Sequence, residues 1–359
     1  LQLKETSIKL KAMIPLNLPT QLSFIEPMAT SMGFNGVGFQ PTTLPLSFAK
    51  YQNWIANDFH GEMLYLKNHL PKKENLKQIN PQINSILSLT HPYRILTNDN
   101  TPVFSSLKIA LYAQDKDYHD WLKKKLELLI TELQKQFPNE FFFPATDIFP
   151  ILERDFAYQN RQGWIGKNSC LIKQNSGSLF LIGNILSSLS LPVSESAPIH
   201  DFCGKCTKCI DACPTQAITT ERTLDAKKCI SYWTIEAKQI APKELRPQFT
   251  DHFFGCDICQ TVCPWNGKVL QTLHNEKPIP ESTENLIAEL KFILTASPEE
   301  LKRKIKETAL SRSKAFGLKR NALIIIGNLK IKELKTEVIS LKETAALTEL
   351  VTWTLAELT

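Results

Sequence analysis

Eight of the nine cysteines in this 359-residue chain lie between Cys203 and Cys263, and their spacing limits what the chain can fold into. They begin as Cys203-Gly-Lys-Cys206-Thr-Lys-Cys209-Ile-Asp-Ala-Cys213-Pro214, a C-x2-C-x2-C-x3-C-P run. Three closely spaced thiolates on a tight loop can reach three irons of one [4Fe–4S] cube. The fourth, carried away by the next turn, reaches a second cube. The second half, Cys256-Asp-Ile-Cys259-Gln-Thr-Val-Cys263-Pro264, repeats the ending, with Phe253 where its first cysteine would stand. Cys229, between the halves, is the natural replacement. The crossed pattern then assigns Cys203, Cys206, Cys209 and Cys263 to one cluster, and Cys213, Cys229, Cys256 and Cys259 to the other.

Two other uses of cysteine fit less well. Disulfides need an oxidising compartment, and no cleavable signal sequence is recognisable. Zinc accepts pairs of C-x2-C, but C-x3-C-P endings are not the pattern of tetrahedral sites. Thiolate-held clusters imply a reducing cytoplasm, and their usual work is moving single electrons, so another part of the chain must do the chemistry. The length suggests two or three domains. No apolar run approaches the roughly 18 residues needed to span a bilayer, so a soluble protein without a membrane partner is expected. The net charge of +6 permits an acidic partner without requiring one. Residues 1–19 lack an initial Met and contain Pro15 and Pro19; they read as an extension, with Met13 and Met28 as later candidate starts.

Along the chain, Gly33-Phe-Asn-Gly36-Val-Gly38 reads as a helix end turning into a strand. It resembles a dinucleotide loop only loosely, because no helix pattern follows. Helical spacing runs through 47–69, and short buried strands are expected at 84–90 and 103–112. Residues 118–137 form the clearest helix, with Leu122, Leu126, Leu129 and Leu133 on one face and Pro138 beyond its end. Residues 170–174 and 179–189 read as two strands joined by a turn at 175–178. The region before the clusters is therefore a mixed α/β domain. After the clusters the pattern is wholly helical. Ser297-Pro298-Glu299-Glu300 is a capping box with Pro at the first helical position. A last amphipathic helix spans 347–358. Short helices with basic flanks suggest HEAT-type repeats, whose basic side is either a solvated face or a phosphate-binding one.

Two stretches ahead of the clusters carry chemistry. Asp147 is a lone carboxylate in an apolar stretch, Phe141-Phe-Phe-Pro-Ala-Thr-Asp147-Ile-Phe-Pro. Desolvation raises a carboxyl pKa, which suits a general acid near neutral pH; the alternative is a cap or turn aspartate. Glu153 and Arg154 beside it read as a structural ion pair. In Gly163-Trp-Ile-Gly166-Lys167-Asn168-Ser169 two glycines allow close backbone approach, and Lys167, Asn168 and Ser169 supply donors, so the segment could cradle a polar cofactor edge. It lacks P-loop spacing, which excludes nucleotide hydrolysis by that route. Cys170 reads as a buried strand residue. The histidines show no metal-ligand spacing, and Asp117-Tyr-His119 begins a D-x-H-x-x-G motif but has Leu122 where the glycine belongs.

These stretches, with Cys229-Ile-Ser-Tyr-Trp-Thr-Ile-Glu236-Ala-Lys238 and Gly255-Cys-Asp-Ile-Cys-Gln-Thr-Val-Cys-Pro-Trp-Asn266, together resemble the epoxyqueuosine reductases. The likeness extends from about Leu22 to Leu329 and includes the His60-Gly-Glu-Met segment. The resemblance implies a cytoplasmic, cobalamin-dependent iron–sulfur enzyme, related to reductive dehalogenases, that reduces epoxyqueuosine to queuosine at the wobble position of tRNAs with GUN anticodons.

Its implied fold is α+β. A cobalamin-binding portion with a nitroreductase-like sheet covers 20–195, a ferredoxin-like portion with two clusters 196–275, and a HEAT-like helical tRNA-binding portion 276–359. Asp147 is implied as proton donor to the substrate, with base-off cobalamin held near Asp147, Lys167, Asn168, Ser169, Ser231 and Glu236. Co(I) formed by electrons from the clusters would attack the epoxide. Lys238, Lys314, Lys319 and Arg320 are implied tRNA contacts. A flavodoxin or ferredoxin is the expected electron donor, and a monomer the expected state. His91-Pro92-Tyr93, Asn184 and Gln239 depart from the family's usual Asn-Tyr, glutamate and glycine. Three other readings remain open: a dehalogenase acting on a small electrophile, an electron carrier, and a nucleic-acid-binding scaffold. The first requires cobalamin and the second does not; a scaffold would bind tRNA without changing it.

Overall fold

The computed structural model describes residues 18–93, 102–192, 198–275 and 282–359. The extension expected at 1–19 lies almost wholly outside them. The first half is built on a four-stranded antiparallel sheet, ordered Gly36–Gln40, Ser85–Pro92, Phe180–Ser187, Phe142–Ala145. Registers run from Gly36 opposite Thr90, Ser85 opposite Ser187 and Phe142 opposite Ser187. Successive side chains of a strand point to opposite faces, and the central strand uses both. Leu87 and Leu89 join the core under the helix Tyr118–Gln136, while Ile86 joins a second cluster with Phe156 of the helix Glu153–Gln159. The long helix buries Leu122, Leu126, Leu129 and Leu133 completely. Each contributes about 1.5–3 kcal/mol of apolar burial.

A separate, larger core joins the cysteine region to the C-terminal helices. At its centre lies the helix Lys314–Leu329, in which Leu318 and the whole run Ala322–Ile326 are buried. A helix apolar on nearly every side belongs inside a core. Around it pack Thr283–Thr295, Pro298–Ile305 and Thr348–Glu357, with Lys335–Ser340 against the first and last of these. The capping box at Ser297 forms in full. Among the described residues no helix is long and apolar enough to cross a membrane.

Several elements differ from the sequence-based expectation. The strand expected over 103–112 reduces to Lys108–Ile109, paired with His252–Phe254 outside the main sheet. Phe104, Leu107, Ile109 and Ala113 enter the second core instead. The Glu289 carboxylate accepts the backbone N–H groups of Ser105, Ser106 and Leu107, so their donors are satisfied without a sheet partner. The helical stretch at 47–69 is two helices, Phe48–Ala56 and Leu64–Asn68. Between them Gly61 has φ +58°, and a Cβ there would lie 2.7 Å from the Tyr232 hydroxyl oxygen. The expected hairpin over 170–189 is likewise divided, because Leu171–Ile172 pairs with Trp164–Ile165 while Phe180–Ser187 belongs to the main sheet.

Candidate active site

The sheet and the long helix bring three polar side chains together. Asp147 sits in the turn that follows the strand Phe142–Ala145. Tyr118 and His119 occupy the first turn of the long helix, which Asp117 caps by accepting the His119 backbone N–H at 3.1 Å. The Tyr118 hydroxyl donates to Asp147 Oδ2 at 2.6 Å. His119 Nδ1 lies 2.6 Å from Asp117 Oδ1, and its Nε2 lies 3.0 Å from Asp147 Oδ1. The second contact is a close ion pair without full hydrogen-bond alignment. The Tyr118 and His119 rings stack 4.1 Å apart. Arg312, from the C-terminal half, donates to Glu236 Oε1 at 2.7 Å, and its charge reaches Asp147.

Asp147 differs from its expected electrostatics. Burial does act to raise its carboxyl pKa. Contacts from His119 and Tyr118, with the charges of His119 and Arg312, outweigh burial and hold it below the usual value. Its side chain is 38% exposed. The dissociable proton belongs instead to His119: burial acts to lower its pKa, but Asp117 and Asp147 raise it to about 9. Glu153 is the carboxyl that behaves as Asp147 was expected to. Burial and the neighbouring Asp147 push it up to about 8, and its Oε2 is buried without a hydrogen-bond partner. The Glu153–Arg154 ion pair does not form; Arg154 donates to the Ser169 carbonyl at 2.5 Å.

The Gly163–Ser169 segment braces the cysteine loops. Lys167 is buried in an ion pair with Glu221 at 2.7 Å. The Asn168 amide donates to the Cys259 carbonyl and accepts the Cys170 N–H. Both side chains are engaged with the protein. Ser169, at φ +65°, is half-buried, as is Ser231 on the short helix after Cys229. Lys238 and Lys314 are exposed and Lys319 half-buried, but Arg320 is not a surface residue. It is 1% exposed and donates to the carbonyls of Trp233, Ala237 and Gln239, so it cannot reach a phosphate.

None of the nine cysteines forms a disulfide. Mutual electrostatic influence sorts eight of them into two groups. Cys209 and Cys263 feel Cys203, and Cys263 also feels Cys206. Cys229 feels Cys213, Cys256 feels Cys229 and Cys213, and Cys259 feels Cys229 and Cys256. Burial, with neighbouring thiols, pushes Cys256 up to about 12 and Cys259 well above the ordinary thiol value. Crowded thiols of this kind ionise together only around a cation, a donor set suited to bound iron. Among the described residues no three His, Cys, Asp or Glu side chains converge tightly enough for a metal ion. Cys170, expected as a buried strand residue, is half-buried just ahead of the strand Leu171–Ile172, and burial of its thiol pushes the pKa up to about 11.

Sequence reasoning missed the part played by Tyr118, His119 and Arg312 in setting the charge on Asp147. The local signal was an N-cap aspartate two residues before a histidine, which by itself reads only as a cap.

Comparison with known proteins gives a consistent result. Residues 202–266 match the 4Fe-4S double cluster binding domain, and residues 73–147 match the family described as Epoxyqueuosine reductase QueG, DUF1730. The epoxyqueuosine reductase of Leadbetterella byssophila is 35% identical over 308 residues, covering 84% of this chain and 97% of that protein. The Escherichia coli epoxyqueuosine reductase is 32% identical over 320 residues, 88% of this chain and 83% of that one. A crystal structure of epoxyqueuosine reductase with a tRNA-Tyr epoxyqueuosine-modified tRNA stem loop superposes with a TM-score of 0.78 at 25% identity, covering 93% of this chain and 89% of that one.

Proposed function

The chain belongs to the epoxyqueuosine reductase family, and from that premise we propose a chemistry for the site around Asp147. The protein is an oxidoreductase that reduces epoxyqueuosine in tRNA to queuosine. We place that nucleoside at the wobble position of tRNAs with GUN anticodons and the protein in the cytoplasm, as a monomer. Removing the epoxide oxygen to leave an alkene consumes two electrons and two protons and releases water. Two one-electron clusters match the electron count, and the two cysteine groups support ligation by Cys203, Cys206, Cys209 and Cys263 and by Cys213, Cys229, Cys256 and Cys259. A low-potential carrier of the flavodoxin or ferredoxin class would load them.

The residues around Asp147 fit base-off cobalamin. Tyr65 and Ile148 are exposed side chains beside the carboxylate, and Leu64, next to Tyr65 in the chain, is exposed as well. Leu44 and Leu46 are exposed too, and the Leu46 N–H is bonded to Asp155 on the helix that begins at Glu153. A flat apolar macrocycle would cover this rim, with Ser169, Ser231 and Glu236 left for its polar edge. When bound, that cofactor supplies a low-valent cobalt centre to open the epoxide. Asp147 donates the proton to the departing oxygen, while Tyr118 and His119 hold its two carboxylate oxygens in place. That three-residue constellation at the edge of the apolar rim is the observation that carries the reading. Lys314 and Lys319, on the helix Lys314–Leu329, and Lys238, in the bend after the helix Ile230–Ile235, supply phosphate contacts. Residues 20–195 would hold the cofactor, 196–275 the clusters and 276–359 most of the tRNA surface.

The test is nucleoside mass spectrometry on epoxyqueuosine-bearing tRNA after anaerobic incubation with reduced protein, with and without cobalamin. Cobalamin-dependent loss of one oxygen is expected. No change, with clusters intact and cobalamin bound, would overturn the tRNA reading in favour of a small electrophile.

A further inference from the structure

We propose that His119 is the proton reservoir of the site, held by Asp117 and recharging Asp147 through Nε2 as the substrate oxygen takes its proton. The inference rests on the reading of Asp147 as donor, and it starts from the geometry. Asp117, His119 and Asp147 form a line in which each imidazole nitrogen meets one carboxylate, at 2.6 Å and 3.0 Å. Asp117 is fixed at both ends. Its side chain caps its own helix, and its N–H donates to the Glu307 carbonyl at 2.8 Å. Asp147 stands at the exposed end of the line, where substrate must approach. Tyr118 cannot take the same role. Burial and the Asp147 charge push its phenol far above the physiological range, so it keeps its proton and serves as a hydrogen-bond donor.

An ionised Asp147 alone is a poor acid at neutral pH, and the His119 imidazolium removes that difficulty. In each turnover the Nε2–H bond breaks and one proton passes through Asp147, forming an O–H bond on the departing oxygen and leaving neutral imidazole. Solvent reprotonates the ring, which makes the second proton of the reaction available. The two electrons come from the low-potential one-electron donor already required. Asp117 and Asp147 set the charge on His119, and the titratable and charged groups near this line come from every element around it. Asp117 and Tyr118 belong to its own helix, and Asp147 and Glu153 flank the following turn. Arg312, paired with Glu236, faces the carboxylates from the C-terminal half, with Tyr112 packed on Tyr118. Lys116 and Glu307 mark the outer end, where residue 116 bridges to Thr308.

The sign follows directly. A histidine whose pKa is raised from 6.5 to about 9 stays charged through neutral pH and loses its proton as pH rises through about 9. The single-turnover rate of pre-reduced protein on an epoxyqueuosine-modified stem loop should therefore fall along a limb near pH 9. His119→Gln should lose that limb, run roughly 100-fold slower at pH 7.5 and recover as pH falls and Asp147 itself protonates. A purely structural His119 would lower the rate equally at every pH and leave the limb in place, which would overturn the proposal.

A readout independent of turnover is ring-carbon NMR on oxidised, cofactor-free protein. The resonance missing in His119→Gln should titrate near 9 in the wild type, and Asp117→Asn should lower that midpoint by about one unit or more. A His119 midpoint near 6.5 in the wild type would overturn the proposal. Where His119→Gln fails to retain its clusters, Asp117→Asn decides alone: a lowered rate limb supports the relay, an unmoved one overturns it. Asp147→Asn separates the two readings. Full turnover in that variant overturns the donor reading itself; an inactive Asp147→Asn with an unmoved limb in His119→Gln overturns only the relay.

Discussion

In the cysteine region each half motif makes its own local structure. Lys208–Asp211 and Ile258–Thr261 are matching single helical turns, and each hands its following cysteine on through a bond to the carbonyl three residues back, Cys213 to Ile210 and Cys263 to Gln260. Around Asp147 nothing is local. Its hydrogen-bond donor Tyr118 lies 29 positions away, and Arg312 comes from the C-terminal half. The first site is defined by spacing along the chain and the second by tertiary packing. The proposed ligands can therefore be named from spacing alone, whereas the charge state of Asp147 cannot. The apolar stretch around Asp147 implied a raised pKa, and charges brought in from elsewhere reverse it.

The largest effect expected is at Cys263, because the proposed crossed pattern makes it the one ligand its group takes from the opposite half. Cys263→Ser should remove about four irons per chain, abolish turnover and lose the same electron paramagnetic resonance signal as Cys206→Ser. If its spectrum matches Cys256→Ser instead, the crossed assignment is wrong and each half motif wraps its own cluster.

Arg320 tests the other side of the comparison. Basic character in sequence suggested phosphate binding; packing spends the guanidinium on three carbonyls of the segment after Cys229. Arg320→Ala should cost about 3–5 kcal/mol of stability by leaving buried acceptors unpaired, measured by chemical denaturation. Lys314→Glu, at an exposed position, should leave stability within about 0.5 kcal/mol and weaken tRNA binding several-fold at low salt. A stable Arg320→Ala with weakened tRNA binding would restore the surface reading.

Elements set by short-range rules were legible. The helix over 118–137 appeared as Tyr118–Gln136 because its leucines repeat at helical spacing and Asp117 caps it. The strand over 84–90 appeared as Ser85–Pro92. The run at 103–112 was misread because strand-like apolarity cannot distinguish a sheet from a helical core. Glu289, far along the chain, supplies the acceptors a neighbouring strand would have given. Lys167 and Asn168 show a related ambiguity. A glycine-flanked donor set looks the same whether its partner is a cofactor or, as here, Glu221 and the Cys259 carbonyl.

Intermediate in size is Leu126→Ala. The side chain is fully buried between helix and sheet, and Gly183 lets the helix approach so closely that a Cβ there would lie 3.1 Å from Leu126. With backbone packed on both sides the cavity can collapse little, so a loss of about 3 kcal/mol is expected, with the cluster spectra unchanged.

The smallest expected effect is at Ser297, where local chemistry accounts for the whole structure. Its hydroxyl accepts the Glu300 N–H at 3.2 Å, and Glu300 Oε2 accepts the Ser297 N–H at 2.8 Å. Both groups are exposed, and the bonds stay within one helix turn. Ser297→Ala should therefore cost about 1 kcal/mol, the ordinary value for a lost cap, with turnover and cluster content unchanged. The helix it starts nevertheless buries Leu301 and Ile305 in the core that reaches the cysteine region. A loss of 3 kcal/mol or more, or a fall in iron content, would mean that the capped turn is coupled through those two side chains to the cluster loops. The division between locally and globally determined structure would then fail where it is drawn most sharply.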